Sequence, residues 1–149
     1  MPPRQAEMGP RYALLPVGYG IAVATVAEIL DGGAGGKRAR VMDPGEPIPY
    51  GAEPVILAET TLYGVTSVEQ TLLHWGDLPR PWLVLVADAP VRPVAEARYL
   101  VRALEGRLAG LVTLPYLPVL RAVTGPEEAL LHKDVQAAAE KLRRTMEGN

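Results

Sequence analysis

At 149 residues, 48% of them hydrophobic, the chain has the length of one domain and enough apolar side chains for one core. A net charge of −2 gives no global attraction to nucleic acid or to an anionic membrane, and zero cysteine excludes disulfides, thiolate metal sites and thiol nucleophiles. Fifteen glycines and fifteen prolines are many, but the hydrophobic content excludes a chain disordered throughout.

Met1–Pro10 is polar and proline-bearing and reads as a frayed tail; residues 11–149 read as a single α/β domain. Tyr12–Val17 is an apolar strand, and Val23–Leu30 a helix ended by Asp31-Gly32-Gly33. The charge-free stretch Tyr12–Ala27 is shorter than the roughly 20 residues of a membrane span. Pro16, Gly18 and Gly20 would also break a signal-type helix in its middle, so the expected compartment is the cytoplasm. Between strand and helix, GYGIAVAT (18–25) fits the phosphate-loop pattern G-x-x-x-x-G-K-[ST] at Gly18 and Thr25. Val23 stands where the second glycine belongs and Ala24 where the lysine belongs, and no lysine or arginine lies between Arg11 and Lys37. Backbone N–H groups at such a junction still favour anions. The alternative is that Gly18 and Gly20 serve only to turn the chain.

Residues 32–54 form a Gly/Pro-rich loop. Its DGGAGGKRAR start reads as a mobile basic linker, because Lys37 is followed by arginine and no strand precedes it. Arg38–Met42 is a short strand closed by Asp43-Pro44-Gly45, and Pro44, Pro47, Pro49 and Pro54 forbid a regular helix in the segment that follows. Pro54–Glu59 is a buried strand followed by the loop Thr60–Val65. Thr66 and Glu69 have capping-box spacing for a helix to about Trp75. Trp82–Ala87 is the most apolar strand, ending on Asp88. Pro93 opens a helix with a Val94, Ala97, Val101, Leu104, Leu108 stripe. Ala109–Leu114 is the last strand, closed by Pro115-Tyr116. Thr124 and Glu127 have capping-box spacing for a helix to about Met146.

Continuous apolar strands alternating with helices predict a three-layer αβα sandwich with a mainly parallel sheet of four to five strands. Such sheets bind ligands beyond the carboxyl ends of their strands, which brings forward Gly18–Gly20, Asp43, Glu59–Thr61, Asp88 and Pro115-Tyr116. His74 and His132 lack partners at metal-ligand spacing.

The order of these pieces resembles the MinD/ParA branch of phosphate-loop ATPases. Tyr12–Leu30 stands where that family keeps its nucleotide loop. PVILAETTLYGVTSVEQTLLHW is similar to its valine-rich strand, threonine loop and helix. WLVLVADAP and LPYLPVLRAVTG are similar to the segments that border the base. The chain also resembles a group of small proteins of high-GC bacteria with a strand ending in a threonine loop, a Gln-Trp-bearing helix and a strand ending in Ala-Asp-Ala-Pro. The resemblance spans most of residues 12–128. It implies a reduced phosphate-loop fold with Gly18, Tyr19, Gly20, Thr25, Asp88, Pro115 and Tyr116 around any nucleotide, and Thr25 and Asp43 as the metal-side candidates.

With the family's lysines absent, the expected function is a non-hydrolysing module for protein interaction, regulation or assembly, with a protein partner or self-association. One alternative is a residual ATP/Mg switch or weak ATPase using Thr25 and Asp43. Another is an enzyme on a small metabolite, using Glu59 or Asp88.

Overall fold

A computed structural model describes residues 9–17 and 21–148. Among them the chain forms β1 (Tyr12–Pro16), α1 (Ile21–Asp31), β2 (Ala39–Val41), β3 (Glu53–Glu59), α2 (Leu62–Leu73) and β4 (Trp82–Val86). There follow α3 (Ala95–Leu104), β5 (Gly110–Leu114), a one-turn α4 (Pro126–Ala129) and α5 (Lys133–Glu147). The five strands make one sheet in the order β2-β1-β3-β4-β5, and every pairing is parallel. The expected αβα sandwich is what forms. Of the tail read in residues 1–10, Met1–Met8 lie outside the described residues.

Both faces of the sheet are covered, which is why the strands read as unbroken apolar runs rather than alternating ones. One face sets Tyr12, Leu14, Val55, Leu57, Val84 and Leu114 against Val26 and Leu30 of α1 and Val135 and Leu142 of α5. The other sets Ile56, Ala58, Leu83 and Leu85 against Val65 and Val68 of α2 and Ala97 and Leu104 of α3. No helix joins β2 to β3. Met42, Ile48 and Ala52 of that connection pack instead on Ala13 and Leu15, so the proline-rich segment is a cover for β1.

Four helix starts differ from the sequence reading: α1 begins at Ile21 rather than Val23, and α3 at Ala95 with Val94 as its cap, so Pro93 precedes the helix it was expected to open. Helix α2 begins five residues before the expected Thr66–Glu69 box, because Thr61 is its cap: the Thr61 Oγ1 accepts from the Gly64 N–H at 2.9 Å. The final helix is two pieces. Thr124 donates from both its N–H and its hydroxyl to the Glu128 carboxylate, α4 stops after one turn, and α5 restarts at Lys133.

The amino-terminal edge of the sheet is fastened by side chains. The Asp31 carboxylate, at the end of α1, accepts from the N–H groups of Gly36 (2.9 Å), Arg38 (3.1 Å) and Ala39 (3.0 Å). The segment read as a mobile linker is therefore folded back onto the helix it leaves. Arg38 pairs with Glu147 at the end of α5, and the Tyr12 hydroxyl donates to the same carboxylate at 3.4 Å. Burial pushes the Tyr12 hydroxyl pKa up to about 12; Arg11 opposes this, and Glu147 adds to it.

The edge strand β5 is positioned by Trp82, whose ring lies over Gly110. A Cβ at Gly110 would stand 2.2 Å from Trp82 Cζ3. Gly110→Ala is expected to cost about 2 kcal/mol through overpacking, read as a lower urea midpoint with a red-shifted tryptophan emission.

Candidate functional site

The strand order fixes where a ligand site belongs. The chain runs from β1 outward to β2, returns across β1 to β3, and then continues outward to β4 and β5. The reversal falls between β1 and β3, and in doubly wound sheets the crevice beyond the strand carboxyl ends at that reversal is the ligand site. The residues leaving β1 and β3 there are 17–20 and Glu59–Thr61.

Of the predicted loop residues, Gly18, Tyr19 and Gly20 lie outside the described residues. Thr25 is buried at 2% exposure, one turn beyond the start of α1. Val23 and Ala24 are half-buried on the same helix. The nearest cations in sequence after Arg11 are at the wrong end. Lys37 and Arg38 immediately precede Ala39, which pairs with Tyr12 at the start of β1, so roughly the 16 Å length of β1 separates them from its carboxyl end.

Asp43 follows β2 at the carboxyl edge, but in a closed turn. Its N–H donates to Glu46 Oε1 at 3.0 Å, the Glu46 N–H returns to the Asp43 carbonyl, and Arg40 pairs with Glu46 at 2.6 Å. The Asp43 N–H and Arg40 hold the Glu46 carboxyl below its usual pKa.

Beyond β3 and β4 the polar groups bond to one another. The Thr60 hydroxyl donates to Asp88 Oδ1 at 3.0 Å, and the Thr60 N–H donates to the Val86 carbonyl at 3.1 Å. Asp88, an exposed residue, therefore closes the β3–β4 ends. Helix α2 then approaches closely: a Cβ on Gly64 would stand 2.4 Å from the Glu59 carbonyl oxygen.

Pro115 and Tyr116 come together with Thr60 at a cleft of about 610 Å³, within the usual range of small-molecule sites. Its other walls are Thr113, Leu117 and, from α5, Asp134, Ala138 and Lys141. Asp88 is tied to this cleft through Thr60 rather than lining it. The sequence reading missed Thr113, Asp134 and Lys141. The one available signal was Thr113, the single polar side chain in Gly110–Leu114. Lys141 Nζ donates to the Thr113 carbonyl at 3.0 Å. A smaller slot of about 190 Å³, under α3, shares Thr60, Pro93 and Thr113 with the cleft and is rimmed by Arg98, Arg102 and Glu105.

Among the described residues no three His, Asp or Glu side chains gather as a metal site, and no helix is long and apolar enough to cross a membrane. Fold and site together define a doubly wound α/β domain with its cleft at the strand carboxyl ends. No family model matches the chain, and neither a curated protein nor a solved structure is significantly similar to it.

Proposed function

We propose that this chain is a phosphate-loop-like α/β domain that does not hydrolyse ATP and acts through protein association. The observation that carries the first half is the distribution of cations. The β1–α1 junction sits at the sheet's reversal, yet Ala24 occupies the lysine position and Lys37 and Arg38 stand at the opposite edge. A triphosphate in water-excluding surroundings needs positive charge against its β and γ groups. Backbone N–H groups alone bind an anion but do not supply that charge. The second half is supported by apolar side chains left in solvent, among them Tyr63 at 81% and Tyr99 at 70% exposure.

Millimolar ATP with magnesium is expected to leave the melting temperature within error, and phosphate release at the blank rate. A site occupied at a hundredfold its Kd would add about 2.7 kcal/mol, which is a rise of roughly 5–11 °C for a chain of this size. Such a rise, or turnover at an ordinary pace, would overturn the proposal and favour the switch built on Thr25 and Asp43. A second reading, a small-molecule ligand between Tyr116 and Lys141, is favoured by the volume of that cleft.

A further inference from the structure

Two openings meet at the carboxyl ends of β4 and β5. The slot of about 190 Å³ lies under α3, the cleft of about 610 Å³ lies against α5, and Thr60, Pro93 and Thr113 border both. Alternation along β5 explains the sharing. Leu111 packs with the α2–α3 side and Val112 and Leu114 with the α1–α5 side, so the Thr113 side chain turns to the slot. Its carbonyl accepts from Lys141 of the cleft. A molecule held in one opening can therefore extend into the other.

The two chambers differ in charge. Arg98 and Arg102 stand one turn apart on α3, and both rim the slot. Ion pairs among the described residues engage Arg11, Arg38, Arg40 and Arg144, so neither slot arginine has a carboxylate partner. Like charges at that helical spacing repel, and a bound anion relieves the repulsion. The Arg98 guanidinium is anchored, because it donates to the Pro93 carbonyl at 2.7 Å. Buried Val65, Leu85 and Ala97 wall the slot, and charge attraction is stronger beside such groups than in open water. In the cleft, Asp134 offsets Lys141 in formal charge, and Leu114, Pro115 and Leu117 surround the half-buried Tyr116 with apolar wall.

We propose that slot and cleft together bind a small monocarboxylic acid with an apolar body, which names a ligand class for the small-molecule reading of the cleft and rests on that reading. The carboxylate lies in the slot against Arg98 and Arg102, and the body crosses Thr113 to lie on Tyr116. A guanidinium fork matches a carboxylate with two parallel hydrogen bonds, which a neutral amide cannot reproduce. The neighbouring acids limit the charge. Glu105 is on the slot rim and Asp88 is bonded to Thr60 behind it, so a single negative charge is accommodated and a phosphate dianion or a triphosphate is repelled.

Titration calorimetry of the full chain at pH 7 tests it with three probes: 3-phenylpropionate, its neutral amide and phenyl phosphate. The acid is expected to bind with a Kd below about 1 mM, and the amide and phenyl phosphate at least about tenfold more weakly. Arg102→Gln is expected to bring the acid down to the level of the amide while leaving the amide within about twofold of its parent value. Tyr116→Ala is expected to weaken acid and amide in the same proportion. Arg102 is exposed, so its variant should keep the parent melting temperature. Arg80→Gln removes the same charge at the amino end of β4, away from the slot, and should change neither affinity. Equal binding of acid and amide, an Arg102→Gln loss shared by both, or tightest binding by phenyl phosphate would each overturn the carboxylate assignment and leave the cleft as a small-molecule site. Binding by none of the three would overturn both. Hydrolysis is decided separately by the ATP titration.

Discussion

Asp31→Asn is expected to lower the stability of the chain by about 3 kcal/mol, near the upper end for single substitutions. The carboxylate is 6% exposed and receives three backbone N–H groups, two on Oδ1 and one on Oδ2. Hydrogen bonds to a charged acceptor contribute about 1.5–3 kcal/mol each, though not additively. An amide retains one acceptor oxygen and turns an N–H₂ toward a backbone donor, so at least one buried N–H loses its partner. The loss is expected to be local as well as global, with hydrogen exchange at Gly36, Arg38 and Ala39 rising first.

The same substitution has a pH signature. Burial raises the Asp31 pKa, but the N–H groups of Gly36, Ala39, Arg38 and Ala34 outweigh it and hold the carboxyl below its usual value. A depressed folded-state pKa contributes stability that is complete above the unfolded value, about 3.9, and is lost as pH falls through the folded one. The gap between the parent chain and Asp31→Asn should therefore be widest near neutrality and narrow below about pH 4. A gap independent of pH down to acid unfolding would show that the charge on Asp31 does not hold the 32–38 loop.

The contrast between the two edges of the sheet separates what the sequence made legible from what it hid. Strands β1, β3, β4 and β5 could be read because burial on both faces leaves a continuous apolar signature, as in Val55–Ala58 and Leu83–Val86. Strand β2 is three residues long and was recognisable mainly from the Asp-Pro-Gly turn after it. The fastening by Asp31 was hidden, because an aspartate before two glycines looks the same whether it only ends a helix or gathers the following N–H groups. The start of α2 was misplaced for a definite reason: Thr61 and Thr66 are both acceptable caps, and Gly64 weakens helix propensity just where the helix begins. Half of the cleft was hidden because Lys141 reaches Thr113 across 28 residues of chain, and no local period encodes that approach. Pro115 and Tyr116 were found because they end a strand, which is a local feature with a known structural place.

The close approach at Gly64 gives the other large effect. In an exposed helix turn, replacing glycine with alanine gains up to about 1 kcal/mol through reduced backbone entropy. At Gly64 the added methyl would meet the Glu59 carbonyl oxygen at 2.4 Å and the Thr61 Oγ1 at 3.2 Å. The carbonyl belongs to the last residue of β3 and cannot swing aside like a side chain, so the first turn of α2 must move. That movement pulls Thr61 from its capping bond to the Gly64 N–H, at a cost of about 1 kcal/mol. It also strains the adjoining Thr60–Asp88 link. Gly64→Ala is expected to be destabilising by about 2 kcal/mol net, with a fall in melting temperature of roughly 4–8 °C. Gly106, where an added Cβ meets nothing within 4 Å, supplies the control: Gly106→Ala should be neutral or slightly stabilising. If Gly64→Ala were instead as benign as Gly106→Ala, α2 would not be seated on the end of β3, and the crevice wall formed by Glu59, Thr60 and Thr61 would have to be rebuilt.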